Sequence, residues 1–315
     1  MNNSINVTVG VLTYNSASTV IETLESIKAQ TYKNVELIVS DDCSKDDTIA
    51  ICRQWLKENE PRFIRTEIIT VEHNTGLPSN GNRIGLASKG QWVKLIAGDD
   101  LLEPDCIEQL VQYVVDNPCA NVVFSRITHF TYNSEGDMNR GMITPSIDVV
   151  RAFNSKDAKG QLVSLLNDDS ILPAPSVFFR TKFFKEHPYL EKYKNEEDYP
   201  LWITLTHEGF RLNVIEYSLV LYRIGTSISR PKNYYYSPLY FQSRNQFFWD
   251  YCYGIYKENK DEHWKDIEKG YNKYRKFLLF CELVDALTQN NKTRWHSFIV
   301  RTINKFLQKF VRFTI

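Results

Sequence analysis

The apolar run at residues 92–97 ends abruptly in Gly98, Asp99 and Asp100, and Pro104 follows a few residues later. This pattern predicts a buried strand with two adjacent carboxylates at its carboxyl end, followed by a helix that the proline opens. Open α/β sheets bind their ligands at this end of their strands. Because neighbouring carboxylates repel each other and resist desolvation, a cation, hydrogen bonds or solvent must stabilise them. A divalent metal that carries a diphosphate is the most economical explanation, and an aspartate that caps the helix near Pro104 is the alternative.

The amino-terminal segment predicts a second pair of carboxylates at the same edge of the sheet. Residues 5–12 alternate and are rich in β-branched side chains, residues 17–30 carry apolar side chains at helical spacing, and the apolar run at 35–39 stops shortly before Asp41 and Asp42. This order predicts a strand, a helix and a parallel strand. Asp41 and Asp42 would then accept hydrogen bonds from ribose hydroxyl groups or from a base N–H group.

The turn after the first predicted strand reads Thr13-Tyr14-Asn15-Ser16 and contains no glycine. A dinucleotide-binding unit carries Gly-x-Gly-x-x-Gly at this place, and a phosphate loop carries glycines with Lys-Ser or Lys-Thr. Hydroxyl groups, an amide and an aromatic face suit a base and a ribose better than a phosphate. The missing glycines also argue against a sugar-1-phosphate nucleotidyltransferase, which we keep as an alternative.

These segments belong to a longer series of motifs in a fixed order. In this order and spacing, the sequence resembles the family 2 glycosyltransferases over roughly the first two-thirds of the chain. The series consists of Val9-Gly10-Val11-Leu12-Thr13-Tyr14-Asn15, Gln30-Thr31-Tyr32-Lys33-Asn34-Val35-Glu36, Asp41-Asp42-Cys43-Ser44, Asn74-Thr75-Gly76, Asn82, Gly85 to Gly90, Gly98-Asp99-Asp100 with Pro104, and Glu197-Asp198 with Leu201-Trp202.

The resemblance implies an α/β protein with the GT-A fold, a nucleotide-diphosphate sugar donor, a divalent Mn²⁺ or Mg²⁺ ion, and inversion at the anomeric carbon. UDP is the expected nucleotide, because Tyr14 and the paired Asp41 and Asp42 resemble uridine-binding relatives. The resemblance implies that Asp99 and Asp100 bind the metal. The donor-binding residues that it implies are Thr13, Tyr14, Asn15, Asp41, Asp42, Asn82, Gly98, Asp99 and Asp100.

The sequence departs from the family pattern at three places. The family commonly has a first metal-binding Asp two residues before the second, and this position is Ala97. It often has an Arg at the position of Gly81, and many relatives place a His shortly after the Tyr222-Arg223 pair. These departures concern the phosphate contacts more than the base pocket. They also leave open a noncatalytic protein that binds nucleotide sugars or acts as a scaffold.

The resemblance places the general base at Asp198, with Glu197 beside it as the second catalytic candidate. Both belong to an acidic run directly before a helix-like segment at residues 199–209. Clustered acids can raise one another's pKa toward the range in which a general base works. The alternative is a set of acidic side chains that complement the amino terminus of that helix.

The acceptor side is expected within residues 171–202. The two prolines of the segment at 172–176 predict a restrained loop beside the reaction centre, and Ser176 is its predicted acceptor-binding residue. Trp202 could stack on an acceptor sugar, or it could pack in the core beside Leu201 and Leu205.

Composition limits the remaining choices. The 38 basic and 38 acidic side chains balance, which argues against a nucleic-acid partner. The 6 cysteines form no Cys-x-x-Cys pair and no secretory leader precedes them, so we expect reduced thiols in a cytoplasmic protein. Residues 1–230 are predicted to form the catalytic domain, with a nucleotide-sugar half at 1–103 and an acceptor half at 104–230. Residues 231–315 are predicted to form a helical extension.

The segment at 292–312 predicts a basic amphipathic helix. Its charged side chains are all basic, and its aromatic and aliphatic side chains recur at helical spacing. Such a helix binds a membrane surface peripherally or docks on the catalytic domain. Lipid-linked acceptors in similar enzymes favour the membrane. The expected function is therefore transfer of a sugar from a UDP-sugar to a glycan or lipid-linked acceptor in cell-surface polysaccharide or lipopolysaccharide assembly.

Overall fold

The computed structural model describes residues 5–225 and 238–258, which contain one mixed sheet and a set of helices. The strands are β1 (Val7–Thr13), β2 (Val35–Asp41), β3 (Arg65–Thr70), β4 (Trp92–Ala97), β5 (Leu101–Leu102), β6 (Val122–Tyr132), β7 (Met138–Thr144), β8 (Phe178–Arg180) and β9 (Asn213–Arg223). The helices are α1 (Val20–Lys28), α2 (Thr48–Asn59), α3 (Leu77–Ala87), α4 (Cys106–Asp116), α5 (Ile147–Asn154), α6 (Ala158–Asn167), α7 (Thr181–Glu186), α8 (Asp198–His207), α9 (Pro238–Phe247) and α10 (Tyr253–Glu258).

The amino-terminal half of the sheet is parallel. The strand order is β3-β2-β1-β4-β8-β6-β9-β5, with β7 paired to β6. β1 pairs in parallel with both β2 and β4, and β2 pairs in parallel with β3. β8 runs antiparallel to β4 and to β6. The predicted strand, helix and parallel strand at the amino terminus are therefore confirmed.

The parallel register brings three strand ends to one edge. Thr13 of β1 pairs with Asp41 of β2, and Leu12 pairs with Ala97 of β4. All seven residues of β2 are buried, as expected of a strand that is covered on both faces. The polar residues that follow β1, β2 and β4 consequently lie together at the carboxyl edge.

Helix α1 packs an apolar stripe against this sheet. Val20, Leu24 and Ile27 have no exposed surface and belong to the main core cluster with the strands and α4. Their spacing of three and four residues is what an amphipathic helix requires. The N-cap of α4 is Asp105, so the alternative that Asp99 or Asp100 caps this helix is wrong.

The chain divides into two compact units, residues 1–224 and 225–315. In the second unit the described residues form α9, a π-helical segment at Phe248–Cys252, and α10. The predicted basic helix at 292–312 lies outside the described residues, and peripheral membrane binding stays a prediction. Within the described residues, no helix combines the length and the apolar character that crossing a bilayer requires.

A buried lysine connects β4 to the segment before β8. Lys94 has no exposed surface, and its Nζ donates to the carbonyl oxygens of Leu95 at 2.7 Å and Pro175 at 2.5 Å. Pro175 belongs to the predicted loop at 172–176, which contains a 3-10 turn at Ala174–Ser176. Burial lowers the pKa of Lys94 to about 8. The protein thus holds an ammonium group in its core to bind this loop.

Lys94 makes folding stability depend on pH. Above a folded-state pKa of about 8, the unfolded chain binds more protons than the native state, so the stability of the wild type rises with pH toward 10.5. Relative to Lys94→Met, the free energy of unfolding should rise by about 2 kcal/mol between pH 7 and 9.5. Urea denaturation at both pH values measures this, with Lys182→Met as the exposed control. If the difference in free energy of unfolding between the wild type and Lys94→Met were the same at both pH values, the lowered pKa of Lys94 would be wrong.

Candidate active site

Loops that follow β1, β2 and β4 form the candidate site at the carboxyl edge. These loops contain Tyr14 and Asn15, Asp42, and Gly98 with Asp99. They pack closely, since a Cβ on Gly98 would lie 3.0 Å from Cγ2 of Thr13 and 3.2 Å from Cβ of Ser16. Gly98 therefore serves the packing of the two loops, and a side chain at this position would force them apart.

The loop after β1 presents an aromatic ring and a restrained amide. Tyr14 is 40% exposed. Asn15 adopts a φ of 52°, a left-handed conformation that asparagine tolerates better than most residues. Its backbone N–H donates to Oγ of Ser44 at 2.7 Å, and its Oδ1 accepts from the backbone N–H of Lys45 at 2.8 Å. The loops after β1 and β2 are thus tied together.

Asp41 is a buried residue whose side chain connects β1 with the loop after β2. It is 1% exposed, and its carboxylate accepts from Oγ1 of Thr13 at 2.9 Å and from the backbone N–H of Ser44 at 2.8 Å. Ser44 Oγ donates to the same carboxylate at 2.5 Å. The donor contacts predicted for Thr13 and Asp41 stay predictions, and in this structure both side chains bind each other.

Asp42 is held by an arginine and by the turn before α3. Its carboxylate accepts from the backbone N–H groups of Thr75 and Gly76 at 3.0 and 2.8 Å, and from Nη2 of Arg83 at 2.9 Å. Gly76 makes this possible with a φ of 93°. Burial alone would raise the pKa of Asp42, but the hydrogen bonds from Thr75, Arg83 and Gly76 together lower it.

Asp99 and Asp100 have different surroundings. Asp99 is partly exposed, whereas Asp100 is 1% exposed and its Oδ1 accepts from the backbone N–H of Arg223 at 2.9 Å. Burial, and secondly the charge of Asp99, raises the pKa of Asp100 well above its ordinary value. Metal binding by Asp100 would require its carboxyl group to leave this interior position, and its metal role stays a prediction.

Asp99 fits a metal ion that is bound mainly through its substrate. Within residues 5–225 and 238–258, no group of three or more His, Cys, Asp or Glu side chains is placed to hold a metal ion. Mg²⁺ commonly binds one or two carboxylates and takes its other ligands from phosphates and water. One partly exposed carboxylate at the edge of the sheet satisfies that requirement only if a diphosphate lies beside it.

The acidic run before α8 lies against the turn that holds Asp42. The carbonyl oxygen of Lys194 accepts from the backbone N–H of Leu77 at 3.1 Å, in the turn that contains Gly76. Glu197 is the N-cap of α8 and Asp198 is its first residue, where negative charge is favourable. Burial, together with the charges of Asp198 and Glu196, raises the pKa of Glu197 well above its ordinary value.

The sequence match agrees with this arrangement. The model of the family described as glycosyl transferase family 2 matches residues 8–188, which is more than half of the chain. The chain belongs to glycosyl transferase family 2. The matched stretch contains the loops after β1, β2 and β4, and it ends before Glu197 and Asp198.

Curated relatives of this family 2 glycosyltransferase share about a quarter of its residues. A putative glycosyltransferase of Bacillus subtilis, EpsE, is 27% identical over 237 residues, which cover 75% of this chain and 80% of that protein. An uncharacterized glycosyltransferase of Methanocaldococcus jannaschii is 23% identical over 220 residues, or 69% of this chain and 70% of that protein. The chain is therefore an enzyme of the glycosyltransferase class.

Solved glycosyltransferases share the fold. The mannosyltransferase PcManGT of Pyrobaculum calidifontis, in complex with GDP-Man and Mn²⁺, has a TM-score of 0.58 at 15% identity, with 96% of this chain and 80% of that chain covered. TarS of S. aureus, residues 1–349 with UDP-GlcNAc, has a TM-score of 0.57 at 17% identity, with 83% and 69% covered. The predicted GT-A fold is confirmed.

Three predicted site residues of this glycosyltransferase lie inside the protein. Asn82 is 7% exposed, and its amide is hydrogen-bonded to the segment before the acidic run. Its Nδ2 donates to the carbonyl oxygen of Tyr189 at 3.0 Å and to Oε1 of Glu191 at 2.9 Å, and its Oδ1 accepts from the N–H of Tyr189 at 2.9 Å. Ser176 has no exposed surface and donates to the carbonyl oxygen of Pro173 at 2.8 Å. Trp202 is 1% exposed and packs edge-on against Phe124, so the core alternative holds for it. Their predicted ligand contacts have no accessible side chain in this structure.

Arg83 is the site residue that sequence analysis missed. It binds Asp42, Oγ1 of Thr75 at 2.7 Å and Oδ1 of Asn80 at 3.0 Å. A signal was available, because Arg83 stands two residues after Gly81, where the family often has an arginine. The side chain at position 81 has no room, since a Cβ there would lie 2.8 Å from the ring of Tyr189.

Removal of Arg83 should destabilise the protein through Asp42. Arg83→Met leaves a buried carboxylate without its cationic partner, which should lower the free energy of unfolding by about 1–3 kcal/mol at pH 7. Because the pKa of Asp42 is lowered in the folded state, its ionised carboxylate stabilises the wild type above pH 3.8, and this stabilisation is lost as pH falls. The difference in free energy of unfolding between the wild type and Arg83→Met should therefore shrink near pH 3. Urea denaturation at both pH values measures it, against Arg53→Met on the exposed side of α2. Equal stability of the two variants would refute the ion pair.

Proposed function

We propose that this family 2 glycosyltransferase moves a sugar from a UDP-sugar to a glycan or lipid-linked acceptor, with inversion, in cell-surface polysaccharide synthesis. The observation that carries the proposal is the common edge where Tyr14 and Asn15 follow β1 and Asp99 follows β4, two strands that pair in parallel. The setting is supported by the succinoglycan biosynthesis protein ExoO of Rhizobium meliloti, which is 34% identical over 107 residues, 34% of this chain and 29% of that protein.

The donor is assigned to the edge beside Tyr14. Its exposed ring offers a stacking face for a base, and the amide of Asn15 lies next to it. The solved relatives include TarS in complex with UDP-GlcNAc and PcManGT in complex with GDP-Man. We take UDP as the nucleotide because the loops after β1 and β2 follow the pattern of uridine-binding relatives.

The metal is assigned to Asp99. Mn²⁺ or Mg²⁺, when bound, stabilises the negative charge that develops on a departing nucleoside diphosphate. In this chain Asp99 would supply the carboxylate, and Gly98 lets the loop before it pack closely against the loop after β1. PcManGT, which was solved in complex with GDP-Man and Mn²⁺, supports the use of a divalent ion.

The general base is assigned to Asp198. Inversion needs a carboxylate opposite the leaving group that takes the proton of the acceptor hydroxyl as the new glycosidic bond forms. Burial and the charge of Asp198 raise the pKa of Glu197, which stays the second candidate for the base. Asp198 is partly exposed and begins α8, and its Oδ1 accepts from the backbone N–H of Tyr199 at 2.7 Å.

Amide variants separate the two carboxyl groups. Asp198→Asn should lower the transfer rate by about 10²–10⁴-fold while the dissociation constant of UDP stays the same, because the lost group acts only on the acceptor proton. Glu197→Gln should have the smaller effect on rate, since Asp198 is the group assigned to take the acceptor proton. Transfer assays with calorimetric control of UDP binding measure both. Near-normal turnover of Asp198→Asn would move the base to Glu197.

Nucleotide binding separates the two aspartates after β4. Titration calorimetry with UDP, GDP and dTDP, with and without Mn²⁺, should give Mn²⁺-dependent binding of UDP. Asp99→Asn should abolish the dependence on Mn²⁺, whereas Asp100→Asn should keep it because Asp100 faces Arg223 inside the protein. Equal binding of the three nucleotides would count against UDP, and loss in Asp100→Asn alone would reassign the metal. No binding in the wild type would favour the scaffolding alternative.

A further inference from the structure

One face of α1 is polar yet does not point to solvent. Thr23 and Ser26 of α1, its N-cap Thr19, and Gln30 just after its carboxyl end recur at spacings of four, three and four residues, which places them along one side of this segment. A sequence pattern of this kind is typical of a solvated face. In the structure Thr23 and Gln30 have no exposed surface, and the whole stripe faces the segment that carries Asp99.

The stripe binds backbone groups of that segment in order. Oγ1 of Thr19 donates to the carbonyl oxygen of Gly98 at 2.7 Å, and Oγ1 of Thr23 donates to that of Asp100 at 2.8 Å. Ser26 accepts from the N–H of Leu102 at 3.1 Å. Farther on, Gln30 donates to the carbonyl oxygen of Glu103 at 2.8 Å and accepts from the N–H of Ile107 at 3.1 Å.

Arg223 binds the carbonyl group of Asp99, which lies between the carbonyl groups of Gly98 and Asp100 that the two threonines bind. Its Nε donates to the carbonyl oxygen of Asp99 at 2.7 Å, and its Nη2 donates to Glu22 of α1 at 3.1 Å. The guanidinium carbon lies 4.7 Å from the ring centre of Phe130, and the residue is 7% exposed. Arg223 therefore has one available orientation, and that orientation is tied to α1.

The three successive carbonyl groups of Gly98, Asp99 and Asp100 thus each accept from a side chain. The turn is closed by a hydrogen bond from the N–H of Asp100 to the carbonyl oxygen of Ala97, at 3.3 Å. Peptide planes that are held on both sides of a residue determine the direction of its Cα–Cβ bond. We propose that Thr19, Thr23 and Arg223 are positioning residues, which hold the Asp99 carboxylate in the orientation that a diphosphate-bound cation requires.

This inference rests on the proposed role of Asp99. The orientation of Asp99 matters most if the protein supplies few ligands to the metal, because the affinity then depends mainly on this one carboxylate. Groups that orient a metal ligand typically change metal affinity by 10–100-fold when they are removed. Helix α1 also begins at Val20, shortly after Tyr14 and Asn15, so one helix connects the loop after β1 with the turn that carries Asp99.

The test measures the affinity of Mn²⁺ for the complex of the protein with UDP, by titration calorimetry and by the electron paramagnetic resonance signal of free Mn²⁺. Thr19→Val and Thr23→Val keep the shape of the side chain and remove one hydrogen bond each. Each should weaken Mn²⁺ binding by about tenfold or more. UDP affinity without metal should stay the same, and Thr23→Ser, which restores the hydroxyl group, should return Mn²⁺ affinity toward that of the wild type.

Thr128→Val is the matched control. Thr128 is 5% exposed and its Oγ1 is hydrogen-bonded to Oγ of Ser218 at 2.7 Å, so its loss removes a comparable buried bond without touching the turn. It should leave Mn²⁺ affinity unchanged. An equal loss in Thr128→Val, or wild-type affinity in both Thr19→Val and Thr23→Val, would overturn the positioning role. Thr19 is partly exposed, so its variant keeps the test open if Thr23→Val fails to fold.

Asp99→Asn separates this inference from the proposed function. If Asp99→Asn keeps Mn²⁺-dependent binding of UDP, the assignment of the metal to Asp99 fails and the positioning role fails with it. If Asp99→Asn loses that binding while the threonine variants keep it, the proposed function stands and only the positioning role fails. Loss in all three, with the Thr128→Val control unchanged, supports both.

Discussion

The parallel pairing of β1 with β2 and with β4 is the constraint on which the site depends. Parallel strands end at the same edge, so the chain needs no other device to bring Tyr14, Asp42 and Asp99 from distant positions in the sequence to one place. The pairing is maintained by apolar burial on both faces of the strands. Lys94 adds a polar bond inside that core, which holds the segment before β8 to β4.

Burial divides the carboxylates at this edge into two groups. Asp41, Asp42 and Asp100 are each at most 3% exposed and accept hydrogen bonds from the protein, because a buried carboxylate without such partners is strongly unfavourable. Asp99 and Asp198 are partly exposed. Most of the aspartates at this edge therefore stabilise the architecture of the site.

The motif order in the sequence was enough to predict the GT-A fold, the family and the edge of the sheet where polar residues collect. The roles of individual residues stay predictions. Asn82 and Trp202 stand at family motif positions and Ser176 in the predicted loop, and in this structure their side chains are used in packing and in internal hydrogen bonds. A motif marks a position along the chain, and it does not tell whether a side chain turns toward the ligand or toward the core. Arg83 shows the converse, since its importance depends on a bond to a residue 41 positions away.

The sequence by itself determined the strands, the helices and the edge at which polar residues collect, because hydrophobic periodicity and turn residues act over a few neighbouring positions. Only the tertiary structure decided which carboxylate of the pair Asp99 and Asp100 faces outward. It also decided that the polar stripe of α1 binds backbone carbonyl groups, and that Arg223 donates hydrogen bonds to the carbonyl oxygen of Asp99 and to the side chain of Asp100. These outcomes depend on contacts between residues up to 124 positions apart. Local propensities carry no information about such contacts.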